Sequence, residues 1–170
     1  MDSARLIARL EGTPAALVSL LAGIPAEDAR WKPSPTDWSI LEIVCHLGDE
    51  EVEDFRMRLR LTLERPDEAW PPIDPEGAAR ERRYNEQDFG AALARFGSER
   101  AASMQWLRSL GAVDWTAAYQ HPKFGPIAAG ELLVSWATHD ALHLRQIAKR
   151  LLQLAERDGA GFKSAYAGNW

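Results

Sequence analysis

Apolar residues along the chain recur at intervals of three and four, the spacing that stacks side chains on one face of an α-helix. Four long segments carry it. The first covers about residues 3–23, and Gly12-Thr13-Pro14 interrupts it. Thr13 can cap a helix and Pro14 suits a first turn, so a kink or a restart is expected there. The second runs from about Ile40 to Leu63. Ser39 and Glu42 form a capping box at its start, and Leu41, Val44, Gly48, Val52, Phe55, Leu59 and Leu63 make its apolar stripe. Gly48 in mid-helix costs roughly 1 kcal/mol against Ala, which points to close approach by another backbone or a bound group. The third spans about Phe89 to Leu110, with Asp88 as candidate cap and Phe89, Leu93, Phe96, Arg100, Met104 and Leu107 on its inner face. Arg100 on that face calls for a carboxylate partner or a path to water. The fourth runs from about Ala129 to Arg157, and its stripe includes Leu132, Trp136, His139, His143, Ile147 and Leu154.

Between these segments the pattern breaks. Pro25, Pro33 and Pro35 make residues 24–38 a loop, and four prolines interrupt residues 65–77, after which a short helix from Pro75 to Tyr84 is expected. Residues 111–126 read as a loop with room for an extended turn. No repeat, low-complexity tract or convincing strand pattern appears. The expected fold is all-α: a four-helix bundle over residues 1–157, followed by a Gly-rich tail over 158–170. The link between the second and third helices, about 20 residues, permits a crossover and hence parallel neighbours.

Composition narrows the classes. The 170 residues suit one domain, and a net charge of −5 lacks the electrostatic footprint of a nucleic-acid binder. The arginine groups at 56, 58, 60 and at 80, 82, 83 alternate with Glu or Leu, as on solvated helix faces. No apolar run approaches the roughly 20 residues of a membrane span. The single cysteine, Cys45, excludes an internal disulfide and suits a reducing cytoplasm; it reads as a small hydrophobe. The first residues lack the pattern of a signal peptide.

The histidines change the picture. His139 and His143 sit four apart, so both imidazoles face one point, as in a two-ligand grip on a transition metal. Alone, that spacing also fits two ordinary core histidines. His46 lies in a third apolar context, between Cys45 and Leu47. Buried imidazoles need partners, and one metal satisfies three more economically than three separate arrangements. His46 lies off the main stripe of its helix, so that end must be buried on more than one face. Glu50, one turn on, is the candidate general base, and Asp49 a candidate outer acceptor or ligand. Asp140 and Gln146 are candidates for orienting the site, and His121, in a loop, for lining the pocket above it.

These residues, in "WSILEIVCHLGDEE", "FGSER", "HPKFGP" and "HDALHLRQI", resemble the DinB superfamily of DinB/YfiT-like metalloenzymes over about residues 5–155. The resemblance implies a bundle of up-down-down-up topology and one divalent metal, zinc or nickel, held by His46, His139 and His143. It also implies a thiol-dependent S-transferase or isomerase using a low-molecular-weight thiol. One departure is that Ala128 and Ala129 replace the Thr expected at the start of the fourth helix, losing a cap worth ~1 kcal/mol.

Three histidine ligands leave a fourth position open. It could take a thiol, which coordination deprotonates, or water, which would make the protein a hydrolase with Glu50 as base. A non-catalytic, metal-stabilised binding module is the third reading. A small-molecule substrate is expected, without nucleic acid or membrane. The surplus apolar surface of the second helix, with Trp70, Trp115 and Trp170 in loops or tail, fits a homodimer, and equally packing within one chain.

Overall fold

The computed structural model describes residues 1–168. The chain forms α1 (Ser3–Leu20), α2 (Ala26–Arg30), α3 (Ile40–Glu50), a π-turn (Glu51–Phe55), α4 (Arg56–Glu64), α5 (Pro75–Glu81), α6 (Phe89–Ser109), β1 (Ala118–His121), β2 (Gly125–Ala128) and α7 (Ala129–Asp158). The backbone stays helical through α3, the π-turn and α4, so they make one rod. With α1, α6 and α7 this gives four long rods. α1 packs on α6 and α7, α3 on α6, and α3 and α4 on α7. No helix among the described residues is long and apolar enough to cross a membrane.

The expected caps form. The Ser39 hydroxyl accepts from the Glu42 N–H at 3.1 Å and Glu42 accepts from the Ser39 N–H at 2.8 Å. Asp88 accepts from the Ala91 N–H. At α7, which has no capping side chain on Ala128, Glu131 accepts the Ala128 N–H instead. Gly48 marks no such close approach: a Cβ there would sit in ordinary contact, 3.5 Å from the Arg95 guanidinium and 3.9 Å from the Phe96 Cα of α6.

Other expectations need correction. α1 does not restart at Thr13-Pro14; it runs on with Pro14 inside it. Proline offers no N–H to the carbonyl four residues back, that of Leu10. Arg100 supplies the missing donor, its Nη1 lying 2.5 Å from the Leu10 oxygen. Thr13 caps nothing; its hydroxyl donates to Asp140 at 2.7 Å. The second helix, expected to be regular, carries the π-turn. The extra residue in that turn rotates Glu51 and Asp54 inward and leaves Val52, expected in the core, only half-buried. The loop after α1 contains α2. The loop before α7 contains an antiparallel hairpin, paired from Ala118↔Ala128 to His121↔Gly125, with Gly125 at φ 74° in its turn.

The core has two apolar clusters. One gathers Leu17, Leu41, Val44, Phe96 and Ile147; the other gathers Leu10, Phe55, Leu59, Met104, Leu133 and Trp136. Ionic and polar groups from all four rods meet at Arg100, Glu51 and Asp140. The helix α7 ends one residue beyond the expected boundary, and the tail holds a 3-10 turn at Ala165–Ala167. Trp70 stacks on Tyr119 and Trp115 packs against the second cluster, so both have partners within the chain. Trp170 lies outside the described residues.

Candidate metal centre

All eleven residues of α3 are buried, which resolves why His46 can leave its apolar stripe and still face the interior. It points across to α7, where His139 and His143 stand one turn apart. The His46 and His139 Nε2 atoms are 3.2 Å apart, and those of His139 and His143 3.0 Å apart. One ring nitrogen from each residue lies within 4.8 Å of the others. A tetrahedral metal at about 2.0–2.1 Å from each nitrogen requires nitrogen separations of about 3.3 Å. The His46–His139 and His139–His143 pairs are close to that spacing already.

At His143 the outer nitrogen selects the inner one. His143 Nδ1 lies 2.8 Å from the Gln146 side-chain oxygen, so that nitrogen carries the proton and Nε2 keeps its lone pair. His46 Nδ1 lies 3.5 Å from a Glu50 carboxyl oxygen. With the His143 Nε2 lone pair facing His139, at most one of the two Nε2 contacts made by His139 can hold a hydrogen bond. The donor set fits a cation better than it fits itself. Burial, with the neighbouring imidazoles, pushes His46 down to about 2 and His139 down to about 3; burial also lowers His143. All three are thus neutral at pH 7, the form that ligates.

The cluster opens into a cavity of about 790 Å³ lined by, among others, Trp38, Glu50, Asp54, Ile73, Gln146 and Arg150. Glu50 is buried on its wall. Burial, and then the Asp54 carboxylate, raise its carboxyl to about 9. Trp38 meets the His46 ring edge-on at 4.9 Å. Arg150 ties down the backbone at that residue, donating to the Trp38 carbonyl at 2.7 Å and pairing with Asp37 at 2.6 Å. Trp38, Asp54 and Arg150 were not legible as site residues. Arg150 lies seven after His143 on α7, and that helical spacing was the available signal.

The other candidates go elsewhere. Asp49 points away from the cluster: one oxygen receives Tyr84 and Arg82, and the other pairs with Arg95 at 2.5 Å. Asp140, next to His139, turns into the core and pairs with Arg100. His121 is in β1 and staples the hairpin turn, accepting from the Lys123 and Phe124 N–H groups at 3.1 and 3.2 Å. Cys45 is buried as expected, its thiol pushed up to about 12 by burial.

The sequence profile of the DinB superfamily matches residues 9–147. No curated protein sequence matches the chain. Among solved structures the chain is similar to YfiT from Bacillus subtilis, described as a probable metal-dependent hydrolase with an unusual four-helix bundle topology. The two are 20% identical and superpose with a TM-score of 0.79, covering 93% of this chain and 88% of that one. At that identity the likeness establishes the fold.

Proposed function

The chain belongs to the DinB superfamily, and on that premise we propose that it is a metal-dependent enzyme acting on a small molecule, with His46, His139 and His143 as the ligands. The observation that carries this reading is three converging Nε2 atoms lining a cavity with a buried carboxyl group on its wall. Zinc or nickel suits three neutral imidazoles. When bound there, the metal is a Lewis acid that makes water or a thiol nucleophilic near neutral pH. The bundle is proposed to run up-down-down-up, with residues 65–88 as the crossover between its second and third rods.

Within this frame hydrolysis ranks first. Glu50, whose carboxyl keeps its proton in the metal-free protein, would be drawn down by a bound dication and would then be the proton acceptor beside His46 on the cavity wall. Gln146 fixes the His143 ring, and Trp38 and Ile73 supply apolar wall against a substrate. Thiol transfer or isomerisation would use the same histidines. The carboxylates of Asp37, Asp54, Asp74 and Glu76 on that wall would repel low-molecular-weight thiols that carry carboxylates themselves.

A screen of the metal-loaded protein separates the readings. The expected result is turnover of esters or amides without thiol, abolished in His143→Ala and reduced about 10²–10⁴-fold in Glu50→Gln. Thiol consumption with an electrophile would move the assignment to S-transfer. Silence in both assays, with metal-dependent thermal stability, would make the protein a binding module.

A further inference from the structure

The metal ligands sit on two separate rods: His46 on α3, and His139 and His143 on α7. Something must hold those rods in register to a few tenths of an ångström, because metal–nitrogen distances tolerate only about ±0.2 Å. The apolar clusters are poor at this, since hydrophobic burial is non-directional. The charged cluster between the rods is directional. Arg100 of α6 donates through Nε and Nη2 to Glu51 at 2.9 and 2.6 Å, and through Nη1 and Nη2 to Asp140 at 2.7 and 2.9 Å. Glu51 directly follows Glu50, and Asp140 directly follows His139. Trp136 Nε1 and the Ser103 hydroxyl complete the Glu51 carboxylate, and the Thr13 hydroxyl and Arg100 complete that of Asp140. Arg100 also takes the Leu10 carbonyl that Pro14 leaves free. One guanidinium therefore ties together all four rods.

We propose that Arg100, Glu51 and Asp140 form a positioning clasp for the metal centre, holding His46 and Glu50 in register with His139 and His143. The inference rests on the reading of those histidines as metal ligands. Stability alone does not account for the clasp, because well-packed apolar groups commonly stabilise a core as well as or better than a buried ion pair. Fixing register is the best-attested use of such groups. The clasp also carries one positive and two negative charges, and its net negative charge lies beside the place where a dication would sit.

The test uses cobalt(II) as the probe, on the full chain purified without a His-tag. Glu51→Gln and Asp140→Asn keep the shape of each side chain while weakening the clasp, so both variants should fold. The expected result is cobalt affinity lowered about 10–100-fold, the range for outer partners of metal ligands, together with an altered visible ligand-field spectrum. Leu107→Ala, in the second apolar cluster, is the control for general destabilisation; its affinity and spectrum should stay within about twofold of wild type at a comparable loss of thermal stability. Wild-type affinity and spectrum in both clasp variants would overturn the proposal, and so would equal weakening in Leu107→Ala. A wild-type protein that binds no cobalt would overturn the clasp and the metal reading together, whereas cobalt binding that ignores the clasp overturns the clasp alone.

Discussion

His139 and Asp140 are neighbours in sequence, both enclosed by the bundle, and they belong to opposite kinds of polar interior. Around Asp140 every donor meets an acceptor: Arg100, Glu51, Ser103, Trp136 and Thr13 satisfy one another at 2.6–2.9 Å. Around His139 three imidazoles meet nitrogen to nitrogen beside a cavity, and at most one of the two Nε2 contacts can hold a hydrogen bond. A matched buried network is complete and reads as architecture. A mismatched one asks for something the chain lacks. The difference of one residue along α7, about 100° of rotation, puts a side chain in one or the other.

Substitutions sharpen this contrast. The largest effect is expected from Arg100→Met, which leaves Glu51 and Asp140 buried without their cation. Stability should fall by about 3–5 kcal/mol, measured by urea unfolding. A loss below 1 kcal/mol would show that the network is not the matched one described. His139→Ala should do the reverse. It removes a mismatched group, so the metal-free protein should lose less than ~1 kcal/mol, or gain, while metal binding is abolished. A loss as large as that of Arg100→Met would break the comparison.

Acidity separates the two regions next. His46 and His139 titrate far below the 6.5 of an unfolded histidine, and His143 is lowered too. Below pH 6.5 the unfolded chain therefore binds protons that the folded one refuses, and stability falls as pH drops. Glu50 works oppositely: its folded value of about 9 lies above the ordinary 4.5, so the stability it adds is lost as pH rises toward 9. Three groups outweigh one on the acid side and Glu50 acts alone on the alkaline side. Metal-free protein should be most stable near pH 6.5, as read by denaturation midpoints in chelator from pH 5 to 8.5. A midpoint rising steadily through pH 8 would contradict this. The smallest effect is expected from Thr13→Val, which removes one donor from a carboxylate that keeps its Arg100 bonds. About 1 kcal/mol should be lost, with metal affinity unchanged.

The sequence announced the histidines better than the clasp. His139 and His143 share a helical face, and His46 stood out as an imidazole in an apolar run. The inner faces of α6 and α7 were likewise legible, down to Arg100 needing a carboxylate. Glu51 was not, because a regular helix from residue 40 to 63 places Val52 inward. The π-turn that reverses this has no local signature: its stabilisation comes from Arg100, Ser103 and Trp136 on other rods. Thr13-Pro14 misled for a related reason. A proline in a helix is disfavoured locally, and the compensating donor lies ninety residues away. Asp49 and Glu50 are adjacent and chemically alike, so only the packed structure could send one to Tyr84 and Arg82 and the other to the cavity.

The central claim is that the three Nε2 atoms are one metal site. Anomalous diffraction from crystals of untagged protein loaded with one equivalent of zinc tests it most directly. The account predicts a single strong peak about 2.0–2.1 Å from the Nε2 atoms of His46, His139 and His143. A peak elsewhere, or imidazoles hydrogen-bonded to one another with no metal between them, would contradict it.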